Sequence, residues 1–493
     1  MKKIFYTTLF VVASHYAMAD VFGESAVNYN SQIIDQNNYS QNMFAYTPMG
    51  GGSQVLHPYN RDSAMQTLFE DGTWNAWGGG TAWVSSPTGS NKVVGSTTYN
   101  TPTVNDYAYG VSVWGQTGKI DGFSLGAQIS SANPWFANNM NGNFEYGYYG
   151  TMPSQSETAL NQLYLEYQYE NIVQADVGWI TISESPWLVP AAALGHIMPS
   201  ASYQGAQVSV YAGDGWMLHA IAFNAAQLIG QSNFTGMNFY NSPAGYGNGL
   251  IPEAPNSSSD GTVALGANYK ALNNNLNVRL WGYSFQNYDN LLYADSSLDM
   301  HVNKDVTFNV QGQLGNSTSN GSTNGLTSSV GNPLYPQVNS DEISSNIAGA
   351  MASITIDWAQ IGAAVSTMWG PEDSFGHGQF VSPYTPAINT DPIFTNSWNY
   401  NNIAVDSATS QAIKAFTKFT FLDGNLWINP TYATYTNTSP MYNGTQEWDL
   451  MTSYSIPQVQ GLNIFNVFIY EVMPPASPIP TVLSDQIVIG YTY

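Results

Sequence analysis

Apolar and polar residues take turns, one for one, through long stretches of this chain. In "LYLEYQYENIVQADVGWI", Leu163, Leu165, Tyr167 and Tyr169 fall on one side, and Gln162, Tyr164, Glu166 and Gln168 on the other. After a turn near Glu170-Asn171, Val173, Ala175, Val177 and Trp179 oppose Gln174, Asp176 and Gly178. A period of two is that of a β-strand, so the stretch predicts a hairpin with one apolar and one polar face. The same period runs to the end of the chain, where Ile487, Ile489, Tyr491 and Tyr493 oppose Gln486, Val488, Gly490 and Thr492. A terminal strand frays unless its edge is held. That asks for a sheet that closes on itself.

The links between such segments are of two kinds. Tight connections are expected at Gly213-Asp214-Gly215, around Asn273, at 357–360, at Asp423-Gly424 and at 457–460. Between them lie long polar segments at 183–202, 227–260, 317–341 and 371–409, with shorter ones near Ser439 and at 474–480. A sandwich or propeller gives no reason for long and short links to alternate. A transmembrane barrel does, because its periplasmic turns are short and its extracellular loops long. Counting back from Tyr493 predicts an all-β fold, a transmembrane antiparallel β-barrel of about 18 strands. The barrel is assigned to residues 76–493, with the first strand near 77–85 and both termini periplasmic. Residues 20–75 precede it as an arm, a partial plug or an extra strand pair. Trp179 and Trp369 fall on the outward face at upper strand ends, and Tyr167, Tyr169, Tyr454, Tyr491 and Tyr493 at lower ends. Tyr and Trp favour the headgroup level, so these rows read as two girdles.

Composition agrees with that reading. Charged residues are 9 % of the chain, against about a quarter in ordinary globular proteins, while aromatics reach 14 %. Lys2 and Lys3, the apolar run 4–13 and Ala17-Met18-Ala19 form the pattern of a cleaved secretory signal, residues 1–19. No cysteine is present, so disulfides do not stabilise the chain. The formal charge of −23 becomes −25 once Lys2 and Lys3 leave with the signal. The remaining bases are Arg61, Lys92, Lys119, Lys270, Arg279, Lys304, Lys414 and Lys418, too few to build a nucleic-acid surface. The expected surroundings are instead the outer-membrane lipid and lipopolysaccharide of a Gram-negative cell, with small solutes in the lumen.

The terminal row Ile487, Ile489, Tyr491, Tyr493 resembles the C-terminal assembly signal of bacterial outer-membrane proteins, which implies the barrel-assembly machinery as a partner. A second resemblance is narrower. The stretch "ALNQLYLEYQY…QADVGWITISESPWLVP…GHIMPSASYQG" resembles a hairpin, loop and following strand of the OprD-like family of substrate-selective porins. Ser185-Pro186, Met198-Pro199 and Tyr203-Gln204-Gly205 stand where that family has its Thr/Ser-Pro, Met/Leu-x-Pro and aromatic-x-Gly elements. The resemblance covers roughly 159–224. It implies an 18-stranded barrel with inward-folded loops that narrow a channel for small, often carboxylate-bearing solutes. Glu184, Ser185, Pro186, His196, Met198 and Pro199 would then belong to a constriction loop. His196 replaces the family's Arg, and with Arg61 and Arg279 as the whole arginine complement a row of arginines cannot form. Carboxylate specificity is therefore not carried over.

Alternation puts Glu166, Asp176, Glu447, Asp449, Lys414 and Lys418 on the face away from lipid, where a charge would cost on the order of 2–4 kcal/mol at mid-depth. They either brace the wall as ion pairs or touch solute. Arg279 lies near Trp281 and Tyr283, where the alternation blurs as at a bulge; a stacked, structural arginine and a pore-lining one both fit. Enzyme motifs fail. "GQTGKI" has Val113 and Ile120 where a phosphate loop needs Gly and Ser or Thr, and "GYGNG" at 245–249 has the wrong spacing for a dinucleotide turn. His57, His196, His219, His301 and His377 show no metal-ligand spacing. No catalytic residue, metal or cofactor is assigned. Two functions stay open: a porin for passive diffusion of small hydrophilic solutes or ions, preferring cations or neutral molecules, and a surface-display barrel whose long loops are the working part. A monomer and a homotrimer both fit.

Overall fold

The computed structural model describes residues 72–88, 92–94, 97–99, 104–135, 156–182, 184–188, 201–227, 232–236, 261–320, 342–371, 374, 378, 380, 382–384, 392–398, 410–437, 443–475, 477 and 481–492. The strands are β1 (Thr73–Pro87), β2 (Lys92–Val94), β3 (Thr97–Tyr99), β4 (Val104–Gln116), β5 (Phe123–Pro134), β6 (Glu157–Tyr169) and β7 (Val173–Ile180). Then follow β8 (Ser202–Gly213), β9 (Trp216–Gln227), β10 (Thr262–Ala271), β11 (Leu276–Phe285), β12 (Asp289–Asn303), β13 (Val306–Ser319) and β14 (Ser344–Ile356). The last are β15 (Ala359–Trp369), β16 (Ser410–Phe421), β17 (Leu426–Asn437), β18 (Thr445–Ser455), β19 (Leu462–Val472) and β20 (Val482–Thr492).

Apart from β2 and β3, which pair with each other, all belong to one antiparallel sheet of 18 strands. Each strand pairs with the next, and β1 pairs with β20 from Trp77↔Thr492 to Pro87↔Val482. The sheet is thus a closed barrel, and closure leaves no strand edge in lipid. β1 begins at Thr73, somewhat before the first strand read from the sequence, and residues 1–71 lie outside the described residues.

Alternation sorts the side chains between the two walls. Outward residues such as Leu125, Leu265, Leu292 and Leu314 are 57–63 % exposed, a surface made for hydrocarbon. Inward ones are polar: Gln116, Gln128, Gln162, Gln168, Gln174 and Gln207 are buried in one tract of the inner wall. Trp369 and Tyr169 stand exposed on the outer wall. Tight turns use left-handed backbone, with Asp214 and Gly215 at φ 48° and 84° between β8 and β9, the signature of a two-residue hairpin turn. One link departs from the expected alternation. β11 and β12 are joined on the long-loop side through residues 286–288 alone, where the Asn320 N–H donates to the Tyr288 carbonyl and seals the short link.

Candidate functional site: the luminal constriction

Among the described residues, two loops fold inside the barrel. The first follows β7, which stops after eight residues. Gly178 adopts φ 132°, and a Cβ there would strike the Leu163 carbonyl, so the strand needs glycine just before the chain turns inward. Glu184, Ser185, Pro186, Trp187 and Leu188 are all buried. The Tyr283 hydroxyl on β11 holds this segment: it lies 2.8 Å from the Ser185 Oγ and accepts the Trp187 N–H at 3.3 Å. His196, Met198 and Pro199 lie outside the described residues.

The second loop joins β15 to β16 across one of the long polar segments, and its described parts turn into the lumen. Phe380 packs edge-on against Trp187 at 4.9 Å, and the Ser382 hydroxyl donates to the Trp187 carbonyl at 3.0 Å. Tyr384 meets Tyr203, Phe223 and Phe285 at 5.4–5.9 Å between ring centres. Residues 392–398 continue along the wall, where the Tyr435 hydroxyl donates to the Thr395 carbonyl at 3.0 Å and the Tyr293 hydroxyl to the Pro392 carbonyl at 3.3 Å. The aromatic residues that looked like breaks in alternation on β11 are this packing surface. Trp281, Tyr283 and Phe285 face inward in regular register, with no bulge beside Arg279.

The inward charges gather in three places. Beside β5–β8, Lys119 of the β4–β5 link bridges to Glu166 at 2.9 Å and donates to the Gln168 side chain. Gln174 donates to Glu166 at 3.0 Å, and Gln207 to Asp176, which stands opposite Glu166 in register, at 2.9 Å. On β11–β12, Arg279 forks onto Asp295, with Nε at 2.8 Å from Oδ1 and 3.2 Å from Oδ2. On β16–β19, Lys414, Ala433 and Glu447 share one register row, and Glu447 stands opposite Glu471. Small Ala433 leaves the Lys414 ammonium open to the fields of Asp449 and Glu447. The second loop binds here too: Lys414 donates to the Asn396 carbonyl, and the Trp398 N–H to Asp449 at 3.1 Å. Lys418 lies lower on the same strand face, 5.7 Å above the Trp427 ring.

Glu184 differs from these. It sits on the inward loop, 4 % exposed, and its Oε2 accepts no hydrogen bond among the described residues. Burial pushes its carboxyl up to about 7, against the opposing pull of Lys270 and Arg279. Sequence reasoning missed Lys119, Lys270, Asp106 and Asp295 as inward groups, although the alternation of their own strands would have placed the last three. Among the described residues no cluster of His, Cys, Asp and Glu could hold a metal ion. Ile487 and Ile489 are exposed on the outer wall of β20, Tyr491 shares that face, and Tyr493 lies outside the described residues.

A closed barrel with an apolar outer wall, a polar inner wall and loops folded into its lumen defines the class: an outer-membrane β-barrel of the porin type. No protein-family model matches the sequence. No curated protein sequence matches it either. Solved structures do. Pseudomonas aeruginosa OpdK, solved with vanillate, superposes with a TM-score of 0.64 at 14 % identity, covering 86 % of this chain and 99 % of its own. Acinetobacter baumannii OccAB2 gives 0.64 at 13 %, covering 87 % and 99 %. Pseudomonas aeruginosa OccK2 (OpdF), solved with glucuronate, gives 0.62 at 12 %, covering 88 % and 99 %. At this identity the likeness establishes the fold: the chain has the 18-stranded architecture of these porins.

Proposed function

We propose that the protein is an outer-membrane porin that lets small hydrophilic solutes and ions diffuse passively, with a preference for cations and neutral molecules. The observation that carries this reading is the pair of loops hydrogen-bonded to the inner wall. A channel needs its lumen narrowed to select among solutes, whereas a surface-display barrel has no use for loops turned inward. The chemistry is binding and passage, and no step of bond-making is assigned. Pore-lining roles fall to Glu166, Asp176, Arg279, Lys414, Lys418, Glu447 and Asp449, with Glu184, Ser185 and Pro186 on the constriction loop.

The preference for cations follows from how the bases are used. OpdK and OccK2 were solved with vanillate and glucuronate, both carboxylates. Here Lys119 answers Glu166 and Arg279 answers Asp295, so neither is offered to a passing carboxylate. Carboxylates on a narrow low-dielectric wall focus a field that favours cations. For insertion, Ile487, Ile489, Tyr491 and Tyr493 would present the terminal strand to the assembly machinery and the lipid girdle. Purified protein in planar bilayers tests the proposal: discrete conductance steps are expected, with reversal potentials in a KCl gradient on the cation side. Absence of any conductance from correctly folded barrel refutes it.

A further inference from the structure

The inward loop carries one carboxylate that takes no part in the hydrogen bonds anchoring the loop. Ser185 and Trp187 make the hydrogen bonds to Tyr283, and Trp187 makes the aromatic contacts to Tyr293 and Phe380. Glu184 is buried beside them with one oxygen unsatisfied among the described residues, a costly arrangement for a group that could simply have pointed into water. Its neighbours Ser185 and Trp187 are anchored to Tyr283 of β11, the strand that carries Arg279, and Lys270 of the adjacent β10 and Arg279 both act on Glu184 electrostatically. Arg279 is already committed to Asp295.

We propose that Glu184 determines which sign of ion the pore admits, by occupying, as an internal counter-ion, the place before Lys270 and Arg279 that an anionic solute would take. The inference rests on the porin reading above. With Glu184 ionised, the four charges of Glu184, Lys270, Arg279 and Asp295 sum to zero, and a passing anion finds no net attraction where the inward loop meets this wall. With Glu184 neutral, the same wall carries one net positive charge inside a low-dielectric constriction, where a single charge governs ion entry.

Protonation supplies that neutral state. Burial holds the Glu184 carboxyl at about 7, so it is charged in mildly alkaline solution and protonated in mildly acidic solution. The inward charged and titratable groups on the elements packed against the loop are Lys270, Arg279, Tyr283, Asp289, Tyr293 and Asp295, with Tyr384 from the second loop. Lys270 and Arg279 are the ones that pull the carboxyl back down, and desolvation outweighs them.

The test is the reversal potential of purified protein in a KCl gradient at pH 8 and pH 5.5. Wild type should favour cations at pH 8, with a several-fold fall in the cation-to-anion permeability ratio at pH 5.5. Glu184→Gln should show the low ratio at pH 8 and respond weakly to pH. Adding Lys270→Gln to Glu184→Gln should raise the ratio again, which a merely structural Glu184 would not predict. A wild type that favours cations equally at both pH values overturns the inference and leaves the proposed function standing; that measurement needs no variant. Glu184→Gln indistinguishable from wild type at pH 8 does the same. A wild type that selects anions at pH 8 overturns the cation-preferring function itself.

Discussion

Changing Tyr283 to Phe deletes one oxygen and leaves the ring. The ring is stacked on Trp281 at 5.8 Å and on Phe285 at 5.4 Å, so the wall itself should survive. What goes is the hydroxyl that bonds Ser185 at 2.8 Å and accepts the Trp187 N–H at 3.3 Å. Two neutral hydrogen bonds at roughly 0.5–1.5 kcal/mol each make about 1–3 kcal/mol of preference for the inward loop. That corresponds to a shift of about 5- to 150-fold in the ratio of inward to displaced loop. Trp187 keeps its contact with Phe380 and the bond from Ser382, so the inward state should still dominate. Single-channel recordings should therefore show the wild-type conductance level interrupted by more frequent excursions to a larger one. Ser185→Ala removes one of the two bonds and should raise their frequency by a smaller factor. If Tyr283→Phe folds and gates like wild type, or if Ser185→Ala has the larger effect, the hydroxyl does not hold the loop and the argument fails.

Lys119→Met should destabilise the barrel by about 3–5 kcal/mol, because Glu166 and Asp176 are then left facing each other without the ammonium; Lys119→Met/Glu166→Gln should recover most of it. The midpoint for loss of the heat-modifiable band reads both, and equal midpoints for single and double variants would contradict the pairing. Topology is open to cysteine labelling on intact cells, where Asn443→Cys in the β17–β18 link should react with an impermeant reagent and Val459→Cys in the β18–β19 turn should not. The opposite pattern would reverse the orientation.

Much of this fold was legible because a barrel between lipid and water enforces period two on every strand. The terminal row of β20 and the hairpin of β6 and β7 needed nothing else. The constriction was harder to read, since a loop that folds inward is polar and irregular like one that folds outward. Residues 371–409 had no strand pattern to say that Phe380, Tyr384 and Trp398 would find aromatic partners on distant strands. Arg279 misled for a related reason. Trp281, Tyr283 and Phe285 suit a lipid face by composition, yet they face inward because a loop covers them. Pro430 shows a compensation that alternation cannot reveal. It lacks the N–H that β17 owes to β16, the pairing skips from Phe416↔Thr431 to Phe419↔Ile428, and the Asn429 side chain donates to the Thr417 carbonyl instead.

The way the lumen stabilises its carboxylates bears directly on what it would conduct. A buried carboxylate can be satisfied by a base, which cancels its charge, or by amides and hydroxyls, which leave the charge in place. Both devices occur here. Lys119 and Arg279 neutralise Glu166 and Asp295. Asp176 takes a hydrogen bond from Gln207 at 2.9 Å, and Asp449, which also feels the charge of Lys414, takes one from Thr431 at 3.0 Å and another from the Trp398 backbone. Glutamine, threonine and backbone N–H groups meet the hydrogen-bonding need without supplying a cation. In a chain with so few bases this is how an inner wall can be folded and still negative, since donors are plentiful and counter-charges are not. On the proposed reading, the same economy turns a porin architecture away from anions: Lys119 and Arg279 are each set against an acid, and Asp176 is held by a neutral donor.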